Sequence, residues 1–237
     1  MEANINTRLV AILDAIIREY IETAEPVGSL TISKKYNFPY SPATIRSCMA
    51  VLEEEGYIFQ PHTSAGRIPS EKGYRYFVNM IEEENNLLQE REGKMIKRRL
   101  EQQNTRMERL ADLAALTLAE MTGNLGIVSY SDSIYSHGLP NLLKQPEFFS
   151  ISNVLGFVDV FDRLHELIRE IPRSQNTTVY IGNEAPIGKS AGCSIVISGF
   201  SRKDKVDGSL VVLGPTRMFY PRTIAIIDEV KGLLETA

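Results

Sequence analysis

From Thr7 to Thr23 the apolar residues Leu9, Ile12, Leu13, Ile16, Ile17, Tyr20 and Ile21 recur three and four positions apart, which lines one face of a helix. Glu25-Pro26-Val27-Gly28 breaks that pattern. Ser29 stands where it can cap a short second helix to about Tyr36, with Leu30 and Ile32 inward and Tyr36 beside them. After the turn Asn37-Phe38-Pro39-Tyr40, a third helix opens at Ser41-Pro42. There the serine oxygen can accept from free amides, and proline fits the first helical position because it has no amide hydrogen to satisfy. Ile45, Met49 and Leu52 form its inward face, and Gly56 ends it.

The period changes after Gly56. Tyr57-Ile58-Phe59 predicts a strand, and the stretch from Gln60 to Pro69, with its two prolines and Gly66, predicts an irregular hairpin. Ser70 then caps a fourth helix carrying Tyr74, Phe77, Val78 and Ile81. Helix, short helix, turn, capped helix, hairpin and helix is the order of a winged helix-turn-helix, which lays one helix in the DNA major groove. We assign residues 1–81 to that domain.

Residues 82–122 are charged and helical, with Ile96, Leu100, Met107, Leu110, Leu113, Ala114, Leu118 and Met121 near heptad spacing. Gly93, Gln103 and Asn104 interrupt the repeat, so this helical linker reads as a linker, a two-helix seam or an amphipathic helix packed on its own chain. Residues 123–237 form a second domain. Strands are expected at Leu125 to Tyr130, Thr177 to Ile181, Cys193 to Phe200 and Gly208 to Leu213, with helices at Ile151 to Ile171 and Ile224 to Leu234. Mixed in this order, they predict a sheet with helices packed on it and an α+β chain as a whole.

Composition narrows the function. With 43% hydrophobic and 24% charged residues the chain is an ordinary globular one. A formal net charge of -4 argues against nonspecific coating of nucleic acid or membrane, and leaves room for a locally basic reader. No run reaches the roughly 18 apolar residues of a membrane span, and Met-Glu-Ala-Asn does not open a signal peptide, so a cytoplasmic protein with no membrane partner is expected. Cys48 and Cys193 lack metal-ligand spacing and read as buried thiols.

The third helix carries the sharpest chemistry. With Ile45, Met49 and Leu52 inward, Ser41, Thr44, Arg46, Ser47 and Ala50 lie away from or beside the core. Arginine offers a paired donor for guanine, while serine and threonine hydroxyls bond phosphates or bases. Residues 28–76 hold six bases (Lys34, Lys35, Arg46, Arg67, Lys72, Arg75) against four acids, a local positive balance. On the hairpin, His62, Thr63, Ser64 and Arg67 supply donors suited to a DNA backbone or minor groove, and with Lys34 and Lys35 they are expected to position the duplex while Ser41, Thr44, Arg46 and Ser47 read the groove. The sequence Gly182-Asn-Glu-Ala-Pro-Ile-Gly188-Lys189-Ser190 nearly spells a phosphate loop, but it has five residues between its glycines where four are needed. Pro186 also lacks an amide donor, and a strand follows where a helix should. His62, His137 and His165 stand too far apart to suggest a metal or a triad, so no catalysis, no metal and no cofactor are expected.

At Ser41-Pro-Ala-Thr-Ile-Arg46 and from Gln60 to Arg75 the chain closely resembles the HrcA family of bacterial heat-inducible transcription repressors. The likeness continues through Glu25-Pro-Val-Gly-Ser29, from Asn141 to Phe148 and from Gly214 to Tyr220. The resemblance implies a homodimeric repressor of chaperone genes, relieved on heat stress. Its winged helices would bind double-stranded DNA at an inverted-repeat operator, with a GAF-like α/β second domain behind them and a GroEL-type chaperonin as partner. Two departures stand out. Ser47 replaces an asparagine usual after Ile-Arg, a change that removes an adenine reader and alters the expected half-site. Between Gly126-Ile-Val-Ser and Ile134-Tyr-Ser-His-Gly only a few residues stand where the family carries an inserted dimerisation subdomain, so pairing would fall to residues 82–121 or to the GAF-like domain. The other reading is a ligand-responsive regulator with a small-molecule effector in the second domain.

Overall fold

A computed structural model describes residues 6–81, 88, 90–101, 106–163, 166, 168, 174–184, 192–202 and 205–236. The chain divides into two units, Met1–Glu83 and Glu84–Ala237. His165 and residues 185–190, with most of the expected helix beyond residue 163, lie outside the described residues.

The first unit runs α1 (Thr7–Thr23), α2 (Ser29–Lys35), α3 (Pro42–Glu54), β1 (Ile58–Phe59), β2 (Ile68–Pro69) and α4 (Glu71–Ile81). Asn6 opens α1 by accepting from the Arg8 amide at 3.2 Å, and Ala24 closes it in the left-handed region. Ser41 caps α3 with Pro42 behind it, as their local chemistry dictates. The apolar faces then meet: Ile12, Leu13, Ile16 and Ile17 of α1, Ile32 of α2, and Ile45, Met49 and Leu52 of α3 are all buried, joined by Tyr74, Phe77 and Val78 from α4. Each such aliphatic side chain contributes about 1.5–3 kcal/mol on leaving water.

Two expectations need correction in α2. Leu30 is 57% exposed, because only positions 29 and 32 of this two-turn helix face inward. Ser29 is the first helical residue and not the cap; Gly28 holds the capping position, and Ser29 is buried. The β1–β2 pair is antiparallel, Ile58 opposite Pro69 and Phe59 opposite Ile68.

The second unit comprises α5 (Glu90–Glu101), α6 (Met107–Thr122), β3 (Leu125–Tyr130), β4 (Ser133–His137), α7 (Leu139–Leu143), a 3-10 turn (Pro146–Phe149), α8 (Ile151–Asp162), β5 (Thr178–Ile181), β6 (Cys193–Arg202), β7 (Lys205–Pro215) and α9 (Tyr220–Thr236). Strands β4-β3-β7-β6-β5 form one sheet, antiparallel at every junction. Both faces are covered. Leu125, Ile127, Cys193, Ile195, Ile197, Val211 and Leu213 share a core with Leu142, Phe148 and Phe157. The intervening residues face α6 and α9, which explains why these strands read as nearly continuous apolar runs. Helices α5 and α6, in the segment read as a linker, pack against α9 and the sheet. The close approach of α6 requires Gly126, where a Cβ would stand 2.4 Å from the Ala115 carbonyl oxygen. Arg217 closes the fold, bonding Glu147 at 2.5 Å and Gln145 at 2.7 Å, so that two segments some 70 residues apart clasp each other.

Candidate nucleic-acid interface

The N-terminal turn of α3 is tightly ordered by its own side chains. Ser41 Oγ accepts from the Thr44 amide at 3.1 Å and lies 2.9 Å from Thr44 Oγ1, so both hydroxyls serve the cap. Ser47 donates to the Ala43 carbonyl at 3.2 Å and keeps its lone pairs for an outside donor. Arg46 differs from all three. It is exposed, and among the described residues no carboxylate or ring engages its guanidinium. Ala43, Ser47 and Ala50, three, one and four positions away, are also exposed. One long cationic side chain thus rises from a face of small residues, beside a helix N-terminus that itself favours anions.

The hairpin is braced from beneath and open at its tip. Gln60 donates from Nε2 to the carbonyls of Thr63 and Ala65, both at 2.9 Å, holding the loop closed across its base. Glu53 of α3 accepts from the Gln60 amide at 3.1 Å through one oxygen and from Arg67 Nε at 2.9 Å through the other. Arg67 also forms a two-way backbone bridge with Val27. Gly66 is required at this crossing, since a Cβ would stand 2.5 Å from the Val27 carbonyl. At the tip, His62, Thr63 and Ser64 are exposed, with side chains that no described residue engages.

The two lysines of α2 part company. Lys34 is exposed and unpaired among the described residues. Lys35 reaches back to α1, bonding Glu19 at 2.7 Å and Glu22 at 2.6 Å. The Glu19 bond, then the Glu22 bond, raise the Lys35 ammonium above its ordinary range. Glu19, whose side chain is 8% exposed, obtains a countercharge this way, which a buried carboxylate needs.

The structure therefore groups Ser41, Thr44, Arg46 and Ser47 on one end of α3 and His62, Thr63 and Ser64 on the loop. Lys35 and Arg67 are engaged within the fold. Reading the sequence missed the Gln60 brace, the Glu53 anchor and Arg8, whose guanidinium lies 5.7 Å from the ring of Tyr40, next to Ser41. A glutamine entering a hairpin and an acid at the end of the preceding helix were the available signals. The three-ring ladder Tyr36, Phe38 and Tyr40, with centroids 6.3 and 6.2 Å apart, stiffens the α2–α3 turn.

In the second unit His137 pairs with Asp112 at 2.8 Å, and both cysteines are buried thiols. Among the described residues no helix is long and apolar enough to cross a membrane.

The family described as "HrcA protein C terminal domain" matches residues 69–224. A heat-inducible transcription repressor HrcA of Desulforamulus reducens is 31% identical over 320 aligned residues, covering 92% of each chain. That alignment is longer than the 237 residues here, so the relative holds residues this chain lacks. The repressor of the same name from Synechococcus elongatus is 24% identical over 99% of this chain and 98% of its own. A crystal structure described only as a hypothetical protein superposes with a TM-score of 0.79 at 20% identity, over 98% of this chain and 97% of its own, and so shares the fold.

Proposed function

The chain belongs to the HrcA family, whose curated members are heat-inducible transcription repressors, and from that premise we propose how it reads DNA. It is a repressor of heat-shock genes and not an enzyme. We read residues 1–81 as a winged helix-turn-helix in which α3 enters the major groove and the β1–β2 hairpin is the wing. Arg46 reads a base edge, Ser47 accepts beside it, and Ser41 and Thr44 fix the end of the helix that approaches the groove. Lys34, His62, Thr63 and Ser64 contact the phosphate backbone or minor groove, while Lys35 and Arg67 hold the reading elements in place. The observation that carries this is the exposed, unengaged guanidinium of Arg46 among small neighbours on a capped helix.

The second unit is read as GAF-like, and the protein as a cytoplasmic homodimer whose two winged helices meet the two halves of an inverted repeat. Where the resemblance expects an inserted subdomain, β3 passes to β4 through Ser131 and Asp132 alone. A GroEL-type chaperonin is the proposed partner, restoring DNA binding after heat. The test is fluorescence anisotropy on an inverted-repeat duplex from a chaperone promoter and on a scrambled duplex, across a salt series. A preference of at least about a thousandfold supports sequence reading; equal, weak binding to both removes it.

A further inference from the structure

Helix α8 is apolar on two flanks. Val154, Phe157 and Phe161 pack into the core of the second unit. About a quarter turn round the helix, at 3.6 residues per turn, lie Ile151, Leu155 and Val158. They are 77%, 61% and 43% exposed, and Phe149, just before the helix, is 79% exposed. A helix apolar over so wide an arc is ordinarily buried on both sides, and a contiguous apolar patch of this kind marks an interaction site.

The pattern of the stripe fits a second copy of the same chain. Two α8 helices set antiparallel about a two-fold axis between Val154 and Leu155 bring Ile151 opposite the second copy's Val158 and the two Leu155 side chains together, each contact occurring twice. The charges agree with that orientation. Asp159 and Asp162 are exposed at the C-terminal end of α8, where their own helix dipole disfavours them, and no cation pairs with either among the described residues. The first turn of α8 holds no acid, and Ser150 makes no capping bond; its hydroxyl lies 2.6 Å from that of Ser152. Antiparallel pairing sets Asp159 beside the second copy's Ser150, so each Asp159 carboxylate meets a helix end that favours anions, while Asp162 falls opposite Glu147, whose charge Arg217 already balances. Parallel pairing would place the carboxylates together.

We infer that α8 is the homodimer interface of this protein, an apolar stripe closed at both ends by reciprocal contacts between Asp159 and the α8 N-terminus. The inference rests on the two-copy reading above. A stable dimer buries about 800 Å² per partner, with an apolar centre and a polar rim; Ile151, Leu155 and Val158 supply the centre, and Phe149 extends it beyond the end of α8.

The test uses the full chain. Wild type sediments as a dimer at micromolar concentration, and Leu155→Glu raises the dissociation constant at least about thirtyfold, the size of one hot-spot side chain. Leu155→Cys under mild oxidation gives a disulfide-linked dimer, since Cys48 and Cys193 are buried, whereas Phe149→Cys lies too far from the axis to bridge. A monomeric wild type, a dimer unchanged by Leu155→Glu, or no bridge at Leu155→Cys overturns the interface. A duplex carrying one half-site separates the two readings. If Leu155→Glu is monomeric and binds it as wild type does, both stand. If wild type dimerises through α8 but prefers neither half-site nor repeat to scrambled DNA, the interface stands and the DNA reading fails.

Discussion

Arg67 donates from Nε to Glu53 at 2.9 Å, and this pair fastens the hairpin to the helix proposed to read DNA. The same carboxylate accepts from the Gln60 amide, so one side chain of α3 sets both ends of the loop. With side chains 22% and 34% exposed, the pair is partly shielded from solvent.

Removing that fastening separates positioning from reading. Arg67→Ala is expected to lower stability by about 1 kcal/mol, discounted for partial exposure. It weakens binding to operator and scrambled duplex alike, because the hairpin loosens while Arg46 is untouched. Urea denaturation read beside anisotropy on both duplexes checks this, and a loss confined to the operator would assign base reading to Arg67.

Gly66→Ala tests the crossing of hairpin and α1–α2 connection. The new Cβ would stand 2.5 Å from the Val27 carbonyl and 2.7 Å from that of Pro26, which cannot yield without backbone movement. The expected cost is about 1–3 kcal/mol. A midpoint within error of wild type would show that the two segments do not press together.

Lys34 and Lys35 should behave oppositely though adjacent. Lys34→Ala weakens all duplexes and lowers the salt slope by about one. Lys35→Ala leaves Glu19 without its countercharge, so it lowers thermal stability and leaves affinity unchanged at temperatures where the variant is folded. Because the folded pKa of Lys35 is raised, its contribution is complete below the ordinary lysine value of about 10.4 and is lost only as pH rises beyond it. The stability gap is therefore full at pH 7, and a thermal melt there reads it.

Burial pushes the Cys193 thiol up to about 12, with a smaller contribution from Glu147. The unfolded chain ionises this thiol near 8.5, so the native state loses stability above that pH, by at most about 1.4 kcal/mol per unit, until the folded value is reached. The advantage is whole below pH 8.5. Wild type and Cys193→Ala should differ in the pH dependence of unfolding between about 9 and 12; parallel curves would contradict the burial.

The parts of the fold set by near neighbours were legible in the sequence. The period of Ile12, Leu13, Ile16 and Ile17 gave α1, and Ser41 with Pro42 placed the start of α3, because capping and amphipathicity act within a few residues. What escaped was decided at a distance. The short strand β4 alternates weakly and owes its existence to pairing with β3 across the turn at Ser131, which has φ 53. Lys35 and Arg67 read as donors that position the duplex, and the ion pairs they make within the fold do not show in the sequence. Their partners Glu19 and Glu53 stand 16 and 14 residues away, and only tertiary packing brings them within reach. Leu30 looked inward because a helix of two turns is too short to declare its face.

The central claim is that Arg46 reads a base. The most direct measurement is the ratio of operator to scrambled-duplex affinity for Arg46→Ala against wild type, by anisotropy at one fixed salt concentration. The account predicts a loss of about 1–3 kcal/mol on the operator with little change on the scrambled duplex, so that the ratio collapses. Equal losses on both would make Arg46 a phosphate contact and contradict it.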